Sequence, residues 1–532
     1  MTKTAIDTTS ATYQEWRAAM LAKVEDLREQ LKVPVNGGGE KYVERHHARG
    51  KLTARERIEL LLDLDTPFLE LCTLAGWHSP EHTSGGSIVF GIGVVEGTEV
   101  LIIATDPTVK AGAMNPWSLK KSFRASELGE WIGLPTVSLV ESAGADLPNQ
   151  KDLFVPGGKS FRDLTKSSAG KQPIVSVVFG NATAGGAYMT AMTDYTIFVK
   201  GNAKVFLAGP PLVKMATGEV ADDETLGGAE MHARTSGLAD FLAEDEHDAI
   251  RLARQCVRRL NWRKKGAGPR TPDFREPLFD AEELLGIVPN DIKIPFDPRE
   301  VIKRIVDGSE FDEFKPLYGT SLVTGFAELH GYPIGIVANA QGVIFSEEAQ
   351  KAAQFIQLAN QVDTPLLFLQ NTTGFMVGAE YEQKGIIKHG AQMINAVSNS
   401  SVPHLTINMA ASYGAGAYAM SGRGYDPVFM FGWAGSRTAV MGSEQLAGVM
   451  DIVTREGAAR RGAEVNEEEL QGIKDFIVGV AEEQGTAYFM TGMMYDDGVI
   501  DPRDTRAILA ICLSVIANKP IEGAKGYGVF RL

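Results

Sequence analysis

Apolar residues at Trp16, Met20, Val24, Leu27 and Leu31 recur at helical spacing, and "VNGGGE" (Val35–Glu40) closes the run. This predicts an amphipathic helix near the start of the chain. From Ile88 the pattern changes to short β-branched runs alternating with longer helical ones. "GSIVFGIGVVEGTEVLIIATD" (Gly86–Asp106) reads as two strands joined by a Gly turn, "NPWSLKKSFRASELGEWIG" (Asn115–Gly133) as a helix and "PTVSLVES" (Pro135–Ser142) as a strand. Such alternation predicts an α/β domain. Pro269, Pro272, Pro277, Pro289, Pro295 and Pro298 then crowd a stretch that suits neither a packed helix nor a central strand.

The same pattern returns after the prolines. "PTVSLVESAGADL" from Pro135 matches "PLLFLQNTTGFMV" from Pro365, and "PIVSVVFGNATAGGAYM" from Pro173 matches "PHLTINMAASYGAGAYA" from Pro403, both at an offset of 230. Gly97 falls on Gly331 at an offset of 234, and "SGLAD" (Ser236–Asp240) echoes "DGVID" (Asp497–Asp501). An internal duplication follows. The expected organisation is a helical extension at 1–40, an α/β domain at 41–268, a proline-rich linker at 269–298 and a second copy of the domain at 299–532.

Charge and composition narrow the functions. A chain of 532 residues with net charge −15 is not a general binder of nucleic acid or anionic membranes. Cys72, Cys256 and Cys512 are far apart and form no metal or disulfide spacing, which points to a reducing compartment. No signal core or bilayer-length apolar run is read, so a cytoplasmic protein is expected. Within this acidic chain, Lys41–Arg57 holds six Lys or Arg against two Glu. That segment could meet phosphates, Arg55 among its cations, or simply form a solvated helix face.

The candidate chemistry lies in the glycine turns. "NATAGGAYMT" (Asn181–Thr190) and "NMAASYGAGAYAMSG" (Asn408–Gly422) each follow a buried-strand pattern. A small-residue turn from strand to helix leaves backbone N–H groups free to meet an oxygen anion. Tight packing alone would also call for glycine; two equivalent copies favour a duplicated oxyanion site. "PGGKS" (Pro156–Ser160) lacks the first glycine of a phosphate loop, since Leu153 stands there, and "GIGVVEG" is followed by a strand. No zinc or nucleophile-elbow motif is present, and no metal site is expected.

These residues resemble the carboxyltransferase (β) subunits of biotin-dependent acyl-CoA carboxylases. The resemblance runs from "GKLTARERIELLLD" (Gly50–Asp63) to "DDGVIDPRDTR" (Asp496–Arg506). It is carried by "TAGGAY" (Thr183–Tyr188), "FLAGPPLVKMATGE" (Phe206–Glu219), "LGGAEMHARTSG" (Leu226–Gly237), "LQNTTGFMVG" (Leu369–Gly378) and "SYGAGAYAMSGR" (Ser412–Arg423). It implies two tandem crotonase-fold domains. It also implies that Gly185 and Gly186, flanked by Ala187 and Tyr188, hold the enolate oxygen of the acyl-CoA. Ala415 and Gly416, with Gly414, Ala417 and Tyr418, would hold the biotin oxygen. The biotin would arrive on a separate carboxylase or carrier subunit, because no carrier or ATP-grasp segment is read in this chain. A homo-hexamer with sites between subunits is implied, as is the absence of a dedicated side-chain base.

"ESAGADLPNQ" (Glu141–Gln150) and the segment after Glu380 resemble the methylcrotonyl- and geranyl-CoA branch. Ala417 replaces its common Asn or His, however, and Ala434-Gly435 its Pro-Asn. A 3-methylcrotonyl-like thioester is favoured; propionyl-, acetyl- or long-chain acyl-CoA stays open. The rivals are the carboxyltransferase subunit of a decarboxylase, a crotonase-type hydratase and a non-catalytic acyl-CoA scaffold.

Overall fold

The computed structural model describes residues 3–526 and 528–531. Packing divides the chain into two compact units, residues 29–265 and residues 1–28 with 266–532. The helix predicted near the start is α1 (Ala11–Val35), and the first division falls inside it. The second unit therefore includes both the start of the chain and the proline-rich stretch. Leu284, Leu285, Ile287 and Val288 within that stretch are buried, and Tyr13 packs against Gly286.

The first unit holds α2 (Glu40–His47), α3 (Ala54–Leu61), α4 (Pro116–Ile132), α5 (Gln150–Ala169), α6 (Gly185–Ala191) and α7 (Glu246–Arg259). Its strands are β1 (Leu69–Leu71), β2 (Ile88–Val95), β3 (Thr98–Thr105), β4 (Thr136–Ser142), β5 (Ile174–Thr183), β6 (Tyr195–Val199), β7 (Lys204–Phe206) and β8 (Phe241–Ala243). They form one sheet in the order β1-β2-β3-β4-β5-β6-β8, with β7 beside the end of β5. From β3 onward neighbouring strands run parallel. Helix α3 starts on a capping box, in which the Thr53 hydroxyl accepts from Glu56 N–H and the Glu56 carboxylate accepts from Thr53 N–H. Helix α4 starts on the Asn115 cap and stops at Gly133 in the left-handed region. "PGGKS", read as a failed phosphate loop, lies within α5.

The second unit repeats this plan with β9 (Asp312–Glu313), β10 (Leu322–Leu329), β11 (Tyr332–Asn339), β12 (Gly342–Ile344), β13 (Leu366–Phe375), β14 (His404–Tyr413), β15 (Phe429–Trp433), β16 (Arg437–Ala439) and β17 (Val499–Ile500). Their order is β9-β10-β11-β13-β14-β15-β17, with β12 on β13 and β16 on β14. The matching helices are α8 (Ser346–Gln361), α9 (Ile386–Asn399), α10 (Gly414–Ala419) and α11 (Thr505–Ile516).

The duplication extends to individual hydrogen bonds. The β2–β3 hairpin turns on Glu96 (φ 51°) and Gly97 (φ 70°), and the β10–β11 hairpin on His330 (φ 48°) and Gly331 (φ 75°). Positive φ at both central residues is the two-residue turn that suits twisted strands. Asp63 accepts the Glu96 and Gly97 N–H groups at 2.9 and 2.7 Å; Asp307 accepts those of His330 and Gly331 at the same two distances. Buried Lys121 donates to the Gly85 and Ile88 carbonyls at 3.0 and 2.7 Å, while Lys351, 230 positions on, donates to Gly319 and Leu322 at 3.3 and 2.7 Å. Burial lowers both lysines to a pKa of about 8. Among the described residues no helix is long and apolar enough to cross a membrane, and the three cysteines are buried and form no disulfide.

Candidate functional site

Each glycine turn sits where a central parallel strand hands over to a short helix. In the first unit β5 ends at Thr183, Ala184 turns the chain, and α6 begins at Gly185. Ala184 is bent to φ 54°, ψ −116°, and its N–H donates to the Phe206 carbonyl at 3.1 Å. A non-glycine residue in that region is strained, and such strain persists only where its surroundings hold it. The counterpart 230 positions on is Gly414, φ 55°, which adopts this conformation without a Cβ penalty.

Beyond the bend, the N–H groups of Gly185 and Gly186 have no acceptor among the described residues, and the same is true of Ala415 and Gly416. Tyr188 and Tyr418 follow as exposed rings, whereas Ala187 is buried and Ala417 half-buried. The chain therefore presents two small-residue turns with free peptide donors, one in each unit. This arrangement suits an oxygen that gains negative charge during a reaction.

The two copies differ in what their glycines are for. A Cβ at Gly416 would stand 2.5 Å from Thr372 Oγ1, 2.9 Å from Gly374 Cα and 3.2 Å from Gly374 N. Thr372 is not free to move aside, because its hydroxyl donates to the Gly342 carbonyl and accepts from Gly374 N–H. A Cβ at Gly186 would meet nothing within 4 Å. Packing alone accounts for Gly416; it does not account for Gly186, which faces open space.

Three of the six cations of the basic segment are taken up by acidic partners. Arg57 is 1% exposed and donates to Glu246 at 2.9 and 2.8 Å and to Glu141 at 2.7 Å, with its guanidinium over the Phe179 ring. Lys51 also pairs with Glu141. Burial opposes the Glu141 charge, but Arg57 and Lys51 outweigh it and hold its pKa below the ordinary carboxylate value. Arg55, the candidate for a CoA phosphate, is instead bidentate on Glu70 at 2.5 and 2.9 Å. Of the six cations only Lys41, Arg45 and Arg49 remain exposed. The sequence carried no signal for these pairings, because the partners lie 15 to 189 positions away. The bend at Ala184 was equally hidden: alanine is ordinary in a sequence, and only the backbone marks it.

The carboxyl transferase domain model matches residues 45–528. The chain is 59% identical over 532 residues, covering both proteins completely, to the probable biotin-dependent acyl-coenzyme A carboxylase beta2 subunit of Mycobacterium tuberculosis. It is 46% identical over 533 residues to the mitochondrial methylcrotonoyl-CoA carboxylase beta chain of Dictyostelium discoideum, covering 99% of this chain and 90% of that one. The crystal structure of the Pseudomonas aeruginosa geranyl-CoA carboxylase beta subunit superposes with a TM-score of 0.90 at 43% identity, covering 100% of this chain and 99% of the other. The chain thus belongs to the carboxyl transferase family, as a carboxyltransferase subunit of the biotin-dependent acyl-CoA carboxylases.

Proposed function

We propose that this subunit moves a carboxyl group from biotin carried on a partner subunit to an acyl-CoA, with 3-methylcrotonyl-like thioesters favoured. The supporting relatives are a methylcrotonoyl-CoA carboxylase chain and a geranyl-CoA carboxylase subunit. In this reading Gly185 and Gly186 donate to the thioester oxygen as it becomes an enolate, with the open space at Gly186 admitting it. Ala415 and Gly416 receive the ureido oxygen of biotin; their free N–H groups on a turn that exposes Ala415 fit such an acceptor. Carboxylated biotin supplies the carboxyl group when bound. The residues of this chain contribute position and preorganised donors, whose removal typically costs about 10²–10³ in rate per donor. Lys41, Arg45 and Arg49 are the cations of the basic segment left to meet CoA phosphates, in place of Arg55. A homo-hexamer is part of the same proposal, and light scattering of the purified chain tests it.

The observation that carries the reading is the recurrence of one strand–bend–helix turn with free N–H groups at the same position of both units. Incubation with free biocytin and malonyl-, methylmalonyl-, 3-methylglutaconyl- and carboxygeranyl-CoA should give biocytin-dependent loss of the carboxyl group, fastest for 3-methylglutaconyl-CoA. Gly186→Pro deletes one donor and should slow that loss by about 10²–10³. An unchanged rate in a folded variant would sink the oxyanion assignment.

A further inference from the structure

The two units fill equivalent interiors differently. In the second unit, the layer between the sheet and helices α8 and α9 is packed with Phe355, Leu366, Phe368, Val397 and Met420, none more than 2% exposed. The residues 230 positions earlier are Ala125, Thr136, Ser138, Ser167 and Thr190. The register is secure, because Lys121 and Lys351 bond equivalent carbonyls from α4 and α8. With side chains of that size, the corresponding layer of the first unit encloses a cavity of about 150 Å³, and Gly186 forms part of its wall. A cavity of this size accepts a body of about six carbons, since an engineered one of similar volume takes up benzene.

Its chemistry selects the occupant. Ile103, Leu164 and Met189 supply apolar wall. Ser160 and Ser176 also line it; they are 5% and 1% exposed, and their hydroxyls have no partner among the described residues. In the packed copy the equivalent positions are Gly390, which has no hydroxyl, and Thr406, whose hydroxyl donates to the Ser421 carbonyl at 2.8 Å. Buried hydroxyls are normally paired, so an occupant that leaves both unpaired is disfavoured relative to one that meets them.

We propose that the cavity receives the acyl chain of the thioester, a chain reaching about six carbons past the reacting end and carrying a hydroxyl or carbonyl oxygen that bonds Ser160 and Ser176. This rests on Gly186 marking the thioester end, as proposed above. It adds a substrate class to the short branched thioesters favoured above: oxygenated medium-chain acyl-CoA.

The test is titration of the 532-residue chain with butyryl-CoA, octanoyl-CoA and octanoyl-CoA hydroxylated at carbon 5, 6, 7 or 8. At least one hydroxylated form should bind about tenfold more tightly than octanoyl-CoA, and Ser176→Ala and Ser160→Ala should each erase that advantage. Ala125→Phe and Ser126→Ile carry the side chains of the packed copy into the cavity. Each should bring the hydroxylated chains down to the affinity of butyryl-CoA, while butyryl-CoA binding and thermal stability are kept. The proposal is overturned if no hydroxylated form exceeds octanoyl-CoA, or if stable filled variants bind the long chains like the parent. Failure of butyryl-CoA itself to bind would instead overturn the thioester assignment beneath it.

Discussion

Alanine at Gly186 and alanine at Gly416 are the same change at equivalent positions of the two copies, and the structure assigns them opposite outcomes. Both lie in short helices with negative φ, so each variant gains about 0.5–1 kcal/mol from reduced backbone freedom. At Gly186 nothing lies within 4 Å of the added methyl, and the gain stands. At Gly416 the methyl meets Thr372 Oγ1 at 2.5 Å and the Gly374 backbone at 2.9 Å. Relief requires breaking the Thr372 hydrogen bonds or shifting β13, and overpacking of this kind costs about 1–3 kcal/mol. The close approach to backbone puts Gly416 at the upper end, so the variants should differ by about 3 kcal/mol. For domains of this size that separates their melting temperatures by roughly 6–12 °C. Calorimetry on both proteins measures the gap, and biocytin-dependent decarboxylation measures function. Gly186→Ala should melt at or slightly above the parent yet lose at least about tenfold in rate, because its methyl enters the space reserved for the thioester oxygen. Equal melting losses at the two positions, or full activity in Gly186→Ala, would refute the claim that one glycine serves packing and the other ligand approach.

Ala184→Gly relieves the strained bend and should raise stability by about 1 kcal/mol, after the loss of backbone restriction in the unfolded chain; a lower melting temperature would contradict the strain. Arg57→Met leaves buried Glu246 without its cation and Glu141 with Lys51 alone, and should cost about 3–5 kcal/mol in urea unfolding. Asp496 is buried, and desolvation raises its pKa to about 7. Its neutral form is favoured in the fold, so its contribution is full below about pH 4 and is lost as the pH rises through about 7. Asp496→Asn should therefore lose less melting temperature between pH 5 and pH 8 than the parent; parallel profiles would remove Asp496 as a cause.

The repeat, the two hairpins, helix α4 and the glycine turns were all legible in the sequence. Each depends on residues close along the chain: short β-branched runs, a Gly at a positive-φ turn, Asn115 before Pro116, and Pro173 and Pro403 opening equivalent strands. Backbone conformation and side-chain periodicity act over a few residues, so sequence alone determines the element types and, through the 230-residue offset, that the chain holds two copies of one fold. Only tertiary structure decided what those copies do differently. It buried Arg57 against Glu141 and Glu246 and paired Lys51 with Glu141, all from distant elements. It matched Arg55 to Glu70, placed the strain at Ala184, and separated a glycine held by Thr372 from one facing open space. It also converted Ala125, Ser138 and Ser167, unremarked in the sequence, into the wall of a chamber where the second copy is solid. Burial, charge pairing and cavity volume depend on what faces a residue across the core, and the order of residues along one segment does not contain that information.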